Sequence, residues 1–295
     1  MRMKEPEDLR NDSSSVINDA SNQIENNSMN NREIQGVMTS DVLTINPESS
    51  LHEAAQLMGE KHIGSLIVME YDSPVGIITE GDLLNVVSNG IKLEKDWISG
   101  SPTIRNEKVK RVMSFPLVKI CIGRPLKEAA RVMIEKRIRR LGVCDSGNLV
   151  GIVTTSDMIG SIPPVPETMK TWFEVDHFMS KQVITADESA ILENVAKTMA
   201  EKHVGSVIVT SQGEPKGIFT ERDLLTKFLA KDKSLIEEVG NACSYPLITA
   251  PLGTAVNKAA AIMVEKHIKR LPITKGDKLV GVLSARDLVE AYARG

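Results

Sequence analysis

Aromatic side chains are scarce in this chain: two Trp, three Tyr and five Phe among 295 residues. Single-stranded nucleic acid is gripped by stacking bases on aromatic rings, so that class of partner is not expected. Cysteine is scarce as well. Cys121, Cys144 and Cys243 form no CxxC pair and share no regular spacing. That excludes a disulfide framework and fits small apolar thiols in a reducing, cytoplasmic protein. Neither sign of charge dominates. Lys and Arg number 36 against 39 Asp and Glu, a formal net charge of -3, so no general attraction to nucleic acid or to an anionic membrane arises. No stretch of 18 apolar residues occurs and the first ten residues, MRMKEPEDLR, hold no apolar core. Neither a membrane span nor a signal peptide is expected. The chain also lacks a P-loop and any standout Ser-His-Asp or Cys-His set, so it is read as a non-enzyme without catalytic cofactor or metal.

What the chain does contain is repetition. From Met38, Met113, Met179 and Cys243, a glycine follows 38 residues later: Gly76, Gly151, Gly217 and Gly281. Thirteen residues after each origin an apolar i, i+3, i+4, i+7 pattern begins, as in Leu51, Ala54, Ala55 and Met58, which predicts one buried stripe on a helix. A β-branched run (SLIV, RLGV, SVIV, RLPI), a polar turn such as DSGN at 145–148 and a second apolar run follow. That order reads as strand, turn, strand. With an upstream strand (VLTI at 42–45, LVKI at 117–120) and a closing helix, each unit is β-α-β-β-α. A unit of roughly 50 residues buries its sheet poorly alone, which predicts pairing. Units 1 and 3 share EKHxGSxIV and units 2 and 4 share EKxIxRL, so an A-B pair is doubled.

The expected layout is a disordered polar tail over 1–33, a first pair over 34–160 (units 34–90 and 110–160), a Pro-rich linker over 161–174 and a second pair over 175–295 (units 175–230 and 240–293). Longer helical connections are expected at about 83–112 and 224–242.

One motif recurs where each last helix begins: GIITEGD (76–82), GIVTTSD (151–157), GIFTERD (217–223) and GVLSARD (281–287). A Thr or Ser three residues before an acid is a helix capping box, and this alone would explain a single copy. The same geometry also makes an anion site, because free amides point outward at the helix mouth. A carboxylate beside it can accept from the two hydroxyls of a ribose. The glycine permits close approach of a ligand or of backbone. His62, His203 and His267 recur at one offset, with Arg137 in the second unit. No second ligand lies at i+3 or i+4, so a role at the helix C-terminus is expected rather than metal binding.

Four β-α-β-β-α units carrying Gly-apolar-apolar-[Thr/Ser]-x-x-Asp resemble CBS domains, and the A-B pairs resemble Bateman modules. The resemblance covers about residues 36–293 and is similar to the four-CBS gamma subunit of AMP-activated protein kinase and to archaeal stand-alone CBS proteins. It implies an α+β fold of four CBS domains in two pairs with pseudo-two-fold symmetry, arranged as a disc. It implies a regulator that binds AMP, ADP or ATP, changes the packing of its pairs and signals to a protein partner or a second copy. S-adenosylmethionine and a ligand-free scaffold are the alternatives. By the same resemblance Asp82, Asp157, Asp223 and Asp287 would hold ribose hydroxyls. Thr79, Thr154, Thr220 and Ser284 would contact ribose or phosphate. Arg139, Arg140, Lys269 and Arg270 would reach phosphates in the cleft of a pair, with Ser65 and Ser206 leaving room opposite them. Arg222 and Arg286 would add phosphate contacts and make the second pair the stronger phosphate binder. The backbone near 40–45 and its equivalents would face adenine.

Overall fold

The computed structural model describes residues 32–89, 104–162, 164 and 173–294. Most of the expected tail and linker lies outside these residues. Arg32 and Glu33, assigned to the tail, are part of the fold. Leu126 donates its amide to the Arg32 carbonyl at 2.8 Å, and Glu33 bridges Pro125.

Each unit holds one three-stranded sheet. The strands are β1 (Thr44–Ile45), β2 (Ser65–Glu70) and β3 (Ser73–Thr79) in unit 1, and β4 (Lys119–Cys121), β5 (Arg140–Asp145) and β6 (Asn148–Thr154) in unit 2. Unit 3 has β7 (Thr185–Asp187), β8 (Ser206–Ser211) and β9 (Glu214–Thr220), and unit 4 has β10 (Ala250–Pro251), β11 (Arg270–Lys275) and β12 (Lys278–Ser284). The first strand runs parallel to the second, across a helix, and the second pairs antiparallel with the third. Two-residue turns close the hairpins, with Ser146 and Gly147 both at positive φ, the backbone that a tight hairpin requires.

The first helix of each unit follows its stripe. In Leu51–Glu60, Leu51, Ala54, Ala55 and Met58 are buried. Ser50 caps it: the Glu53 amide donates to Ser50 Oγ at 3.1 Å and the Ser50 amide donates to Glu53 Oε2 at 2.8 Å. The recurrent histidines end these helices. His62, Arg137, His203 and His267 all stand at φ of 52 to 55°. At each, the next amide reaches back five residues, as from Ile63 to the Met58 carbonyl at 3.0 Å. This is the Schellman stop, whose left-handed residue can be His or Arg because only backbone is used.

The repeat origins have a physical cause, and it is crosswise. Thr39 and Ile152 exchange backbone hydrogen bonds at 2.9 Å each. Ile77 with Ser114, Ser180 with Val282, and Ile218 with Ser244 form the equivalent bridges. Each unit thus lends the segment before its first strand to the third strand of its pair partner. The repeated glycines sit under that segment. A Cβ on Gly76 would stand 2.8 Å from the Ser114 carbonyl oxygen and 2.9 Å from Met113 Sδ. The approach that glycine permits here is by backbone.

Two apolar cores result, and each spans both pairs. Helices of units 1 and 3 share one, with Met58, Leu83, Val195, Met199 and Phe228. Helices of units 2 and 4 share the other, with Leu126, Met133, Met263, Leu288 and Val289. The pairs therefore pack through their helices within one chain. One expectation needs correction. The connection at 224–242 is not a continuous helix. After Glu221–Asp223 it makes a π turn over Leu224–Phe228 and a 3-10 turn over Leu229–Lys231, reverses at Asp232 with φ of 52°, and ends in the short helix Val239–Ala242. The 83–112 connection is helical only to Asn89, and its middle lies outside the described residues.

Candidate functional site

The motif carboxylates all cap their own helices. Asp82 Oδ2 accepts from the Thr79 amide at 2.8 Å and from Thr79 Oγ1 at 2.7 Å. Asp157 and Asp287 accept from the Thr154 and Ser284 amides, at 2.7 Å in both cases. Asp223 accepts from the Thr220 amide at 3.0 Å and from Thr220 Oγ1 at 2.6 Å. In every case this engages Oδ2. Among the described residues no donor reaches Oδ1 of Asp82, Asp157 or Asp287, which leaves one carboxylate oxygen for a ligand. Burial pushes these three carboxyls up from their usual range, against the hydrogen bonds from the preceding Thr or Ser. A hydroxyl-donating ligand would relieve that penalty.

A cavity of about 670 Å³ lies where the four units meet. Asp157 and Thr154 line it beside Thr39 and Asp41–Leu43, and Asp223 and Thr220 line it beside Ser244. A motif is therefore faced by the lent segment of its pair partner. Thr39 belongs to unit 1 and Asp157 to unit 2. Sequence periodicity cannot reveal that exchange, because it is silent on which copies touch.

Between these two motifs the basic residues converge. Arg139, Arg140, Arg222, Lys269, Arg270 and Arg286 line the cavity, together with Ser65. Ser206, Thr79, Asp82, Ser284 and Asp287 do not. The four outer members of that set keep the local motif geometry away from this cavity, and Ser206 opens β8 beside Gly205. The cations are shared across the pairs as well as within them. Arg139 of unit 2 pairs with Glu221 of unit 3 at 3.3 Å. Arg222 of unit 3 pairs with Glu80 of unit 1 and donates to the His62 carbonyl at 2.9 Å. Arg222 thus serves the junction of both pairs and is not the second pair's own.

Glu80 and Glu221 also line this cavity and hold its arginines, and sequence reasoning missed them. Both follow the motif Thr in the A-type units, where the B-type units have Thr155 and Ala285, and that contrast was the available signal. Glu80 is only 6% exposed. Burial pushes its carboxyl up, but Lys269, Arg222 and Arg140 outweigh burial and hold it below its ordinary value. Gly64 and Gly205 make the space: a Cβ on Gly64 would stand 2.6 Å from the Arg140 guanidinium and 2.8 Å from Glu80 Oε2. Burial pushes the Lys269 ammonium down to about 8, although Glu80 attracts it. Lys269 makes no ion pair within 4 Å among the described residues. Six cations thus line the cavity with five acids, Asp41, Glu80, Asp157, Glu221 and Asp223, and the surplus positive charge favours an added anion.

The family model of the CBS domain matches residues 32–89, 109–163, 175–230 and 236–294. The chain belongs to the CBS-domain family, with four copies. An uncharacterized 33.4 kDa protein from the ribosomal RNA operon of Thermofilum pendens is 31% identical over 195 residues, 61% of this chain and 59% of that protein. The uncharacterized protein MJ1404 of Methanocaldococcus jannaschii is 25% identical over 280 residues, 90% of this chain and 63% of that protein. The chain therefore spans about three fifths of these two relatives. The solved structure of MJ1225 from the same organism, a proposed archaeal homologue of g-AMPK, superposes with a TM-score of 0.72 at 20% identity. The match covers 88% of this chain and 100% of that one and shows the shared four-unit fold. No helix among the described residues is long and apolar enough to cross a membrane.

Proposed function

We propose that this chain is a regulatory sensor of adenine nucleotides, AMP, ADP or ATP, and not an enzyme. The observation that carries this is the Asp157 carboxylate. One oxygen holds its own helix cap, the other is unengaged, and the cavity beside it leads to a cluster of half-buried cations. In this reading the ribose diol donates to Asp157, the adenine lies against the lent backbone near Thr39–Leu43, and the phosphate points toward Arg139, Arg140 and Lys269. A phosphate tail competes with Glu80 and Glu221 for their arginines. Those ion pairs cross between the pairs, so the ligand changes how the pairs hold each other. The shift can be no larger than the ligand's differential affinity for the two arrangements. A sulfonium ligand such as S-adenosylmethionine would bring a further positive charge to this centre and is disfavoured. Asp82 and Asp287, with the same unengaged oxygen, are further ribose positions.

Calorimetry of the purified chain with AMP, ADP, ATP and S-adenosylmethionine tests the reading. Asp157→Asn keeps a cap acceptor but removes the charge. It should weaken AMP binding by about tenfold to a hundredfold, the worth of roughly 1.5–3 kcal/mol for a charged hydrogen bond. Unchanged affinity in Asp157→Asn, or no heat and no thermal stabilisation with any nucleotide, would sink it.

A further inference from the structure

The central cavity has two motif mouths, Asp157 and Asp223, and they differ in one respect. At Asp223 the second carboxylate oxygen is already taken. Ser244 Oγ donates to Asp223 Oδ1 at 3.0 Å, and the Lys227 ammonium pairs with the same oxygen at 2.7 Å. With Thr220 on Oδ2, four donors surround this carboxylate, which is 6% exposed. A carboxylate offers about four acceptor positions, so none remains for a diol. The Lys227 ammonium is fixed further by donating to the Ala242 carbonyl at 2.6 Å.

Lys227 has no counterpart in the other units. Four residues after the motif Asp stand Val86, Ser161 and Ala291, none of which carries a cation. Lys227 also lies in the π turn over Leu224–Phe228, which occurs only in this unit among the described residues. Ala242 and Ser244 belong to the segment that unit 4 lends to unit 3. The Lys227–Asp223–Ser244 set therefore clamps the second pair shut with its own atoms.

We infer that the unit 3 motif is a closed site, in which Lys227 and Ser244 replace the ribose diol, so that the central cavity takes one nucleotide, at Asp157. This rests on the reading of Asp157 as the ribose acceptor. It assigns the two pairs different parts. The second is held by an internal tether, and the first, with Val86 in the place of Lys227, depends on a ligand to join its units at Asp82.

The test counts AMP bound per full-length chain by equilibrium dialysis and calorimetry, with cooperative thermal melting as the check on folding. Asp223→Asn in the otherwise native chain should leave the number of bound AMP unchanged. The double variant Lys227→Met with Ser244→Ala should bind one more AMP than the native chain, and adding Asp223→Asn should remove that extra site. Loss of one AMP from the single Asp223→Asn variant would overturn the inference, as would a folded double variant with the native count. Absence of binding of AMP, ADP and ATP alike by the native chain would overturn the proposed function and this inference with it. Binding that survives intact in both Asp157→Asn and Asp223→Asn would overturn the Asp157 assignment and, with it, the placing of the one cavity nucleotide there.

Discussion

Raising the pH from 7 to 9 should weaken AMP binding through a single side chain, Lys269. Its ammonium is buried among Arg139, Arg140 and Arg222 and is pushed down to about 8. In the free protein it is mostly charged at pH 7 and mostly neutral at pH 9. A bound phosphate dianion would hold the proton on, returning the group toward its usual value of about 10.4. Binding is then linked to proton uptake, roughly half a proton at pH 8 and close to one at pH 9. Integrated from pH 7 to 9, the affinity falls about tenfold, or roughly 1.4 kcal/mol. The phosphate's own second ionisation, near pH 6, is nearly complete above pH 7 and adds little. Calorimetry at pH 7, 8 and 9 in two buffers of different ionisation enthalpy reads both quantities. Lys269→Arg should keep the affinity at pH 7 and abolish the fall, because guanidinium stays charged. A flat profile with no buffer-dependent heat, or the same fall in Lys269→Arg, would refute the reasoning. Stability carries the opposite sign. The unfolded chain holds this proton more tightly, so the free protein gains stability from Lys269 as pH rises from about 8 toward the unfolded value.

Three further outcomes are expected. Glu80→Gln removes the buried anion that competes for Arg222 and Lys269, so AMP should bind several-fold more tightly while the ligand-free protein melts lower, a broken buried pair costing on the order of 3 kcal/mol. Tighter binding without the loss of stability, or the reverse, would show that Glu80 is not an internal stand-in for phosphate. Gly76→Ala should destabilise by about 1–3 kcal/mol in urea unfolding, because its methyl meets the Ser114 carbonyl, whereas Gly123→Ala, with open space around it, should be near neutral. His203→Gly should be neutral or stabilising by up to about 1 kcal/mol and His203→Val destabilising, since the position needs left-handed backbone and not an imidazole.

Much of the fold was legible because helix and strand periods are local. The Leu51, Ala54, Ala55, Met58 stripe and its three copies predicted the first helices, and the β-branched runs predicted the hairpins. The doubling of A and B units was legible in EKHxGSxIV against EKxIxRL. Contacts between copies were not. Met113 lies under Gly76 and Met38 under Gly151, yet the constant spacing of 38 residues within each copy reads the same whichever way the segments are exchanged. The broken helix after Asp223 was hidden because LLTKFLA has a sound helical pattern, and Asp232 turns the chain by tertiary demand. At the site, the motif marked the carboxylates, but it could not tell an oxygen left open from one satisfied by Lys227. Nothing in the motif marks Glu80 and Glu221, because the ion pairs that engage them cross between the two pairs.

The exchange of entry segments sets the unit of inheritance for such a chain. A single copy lacks the bridge that its partner lends to its third strand, and a single pair leaves two oily helical faces bare. Copies can therefore be gained or lost only in twos, and a lone pair must find another to cover it. Growth by doubling a whole pair satisfies both demands in one genetic step.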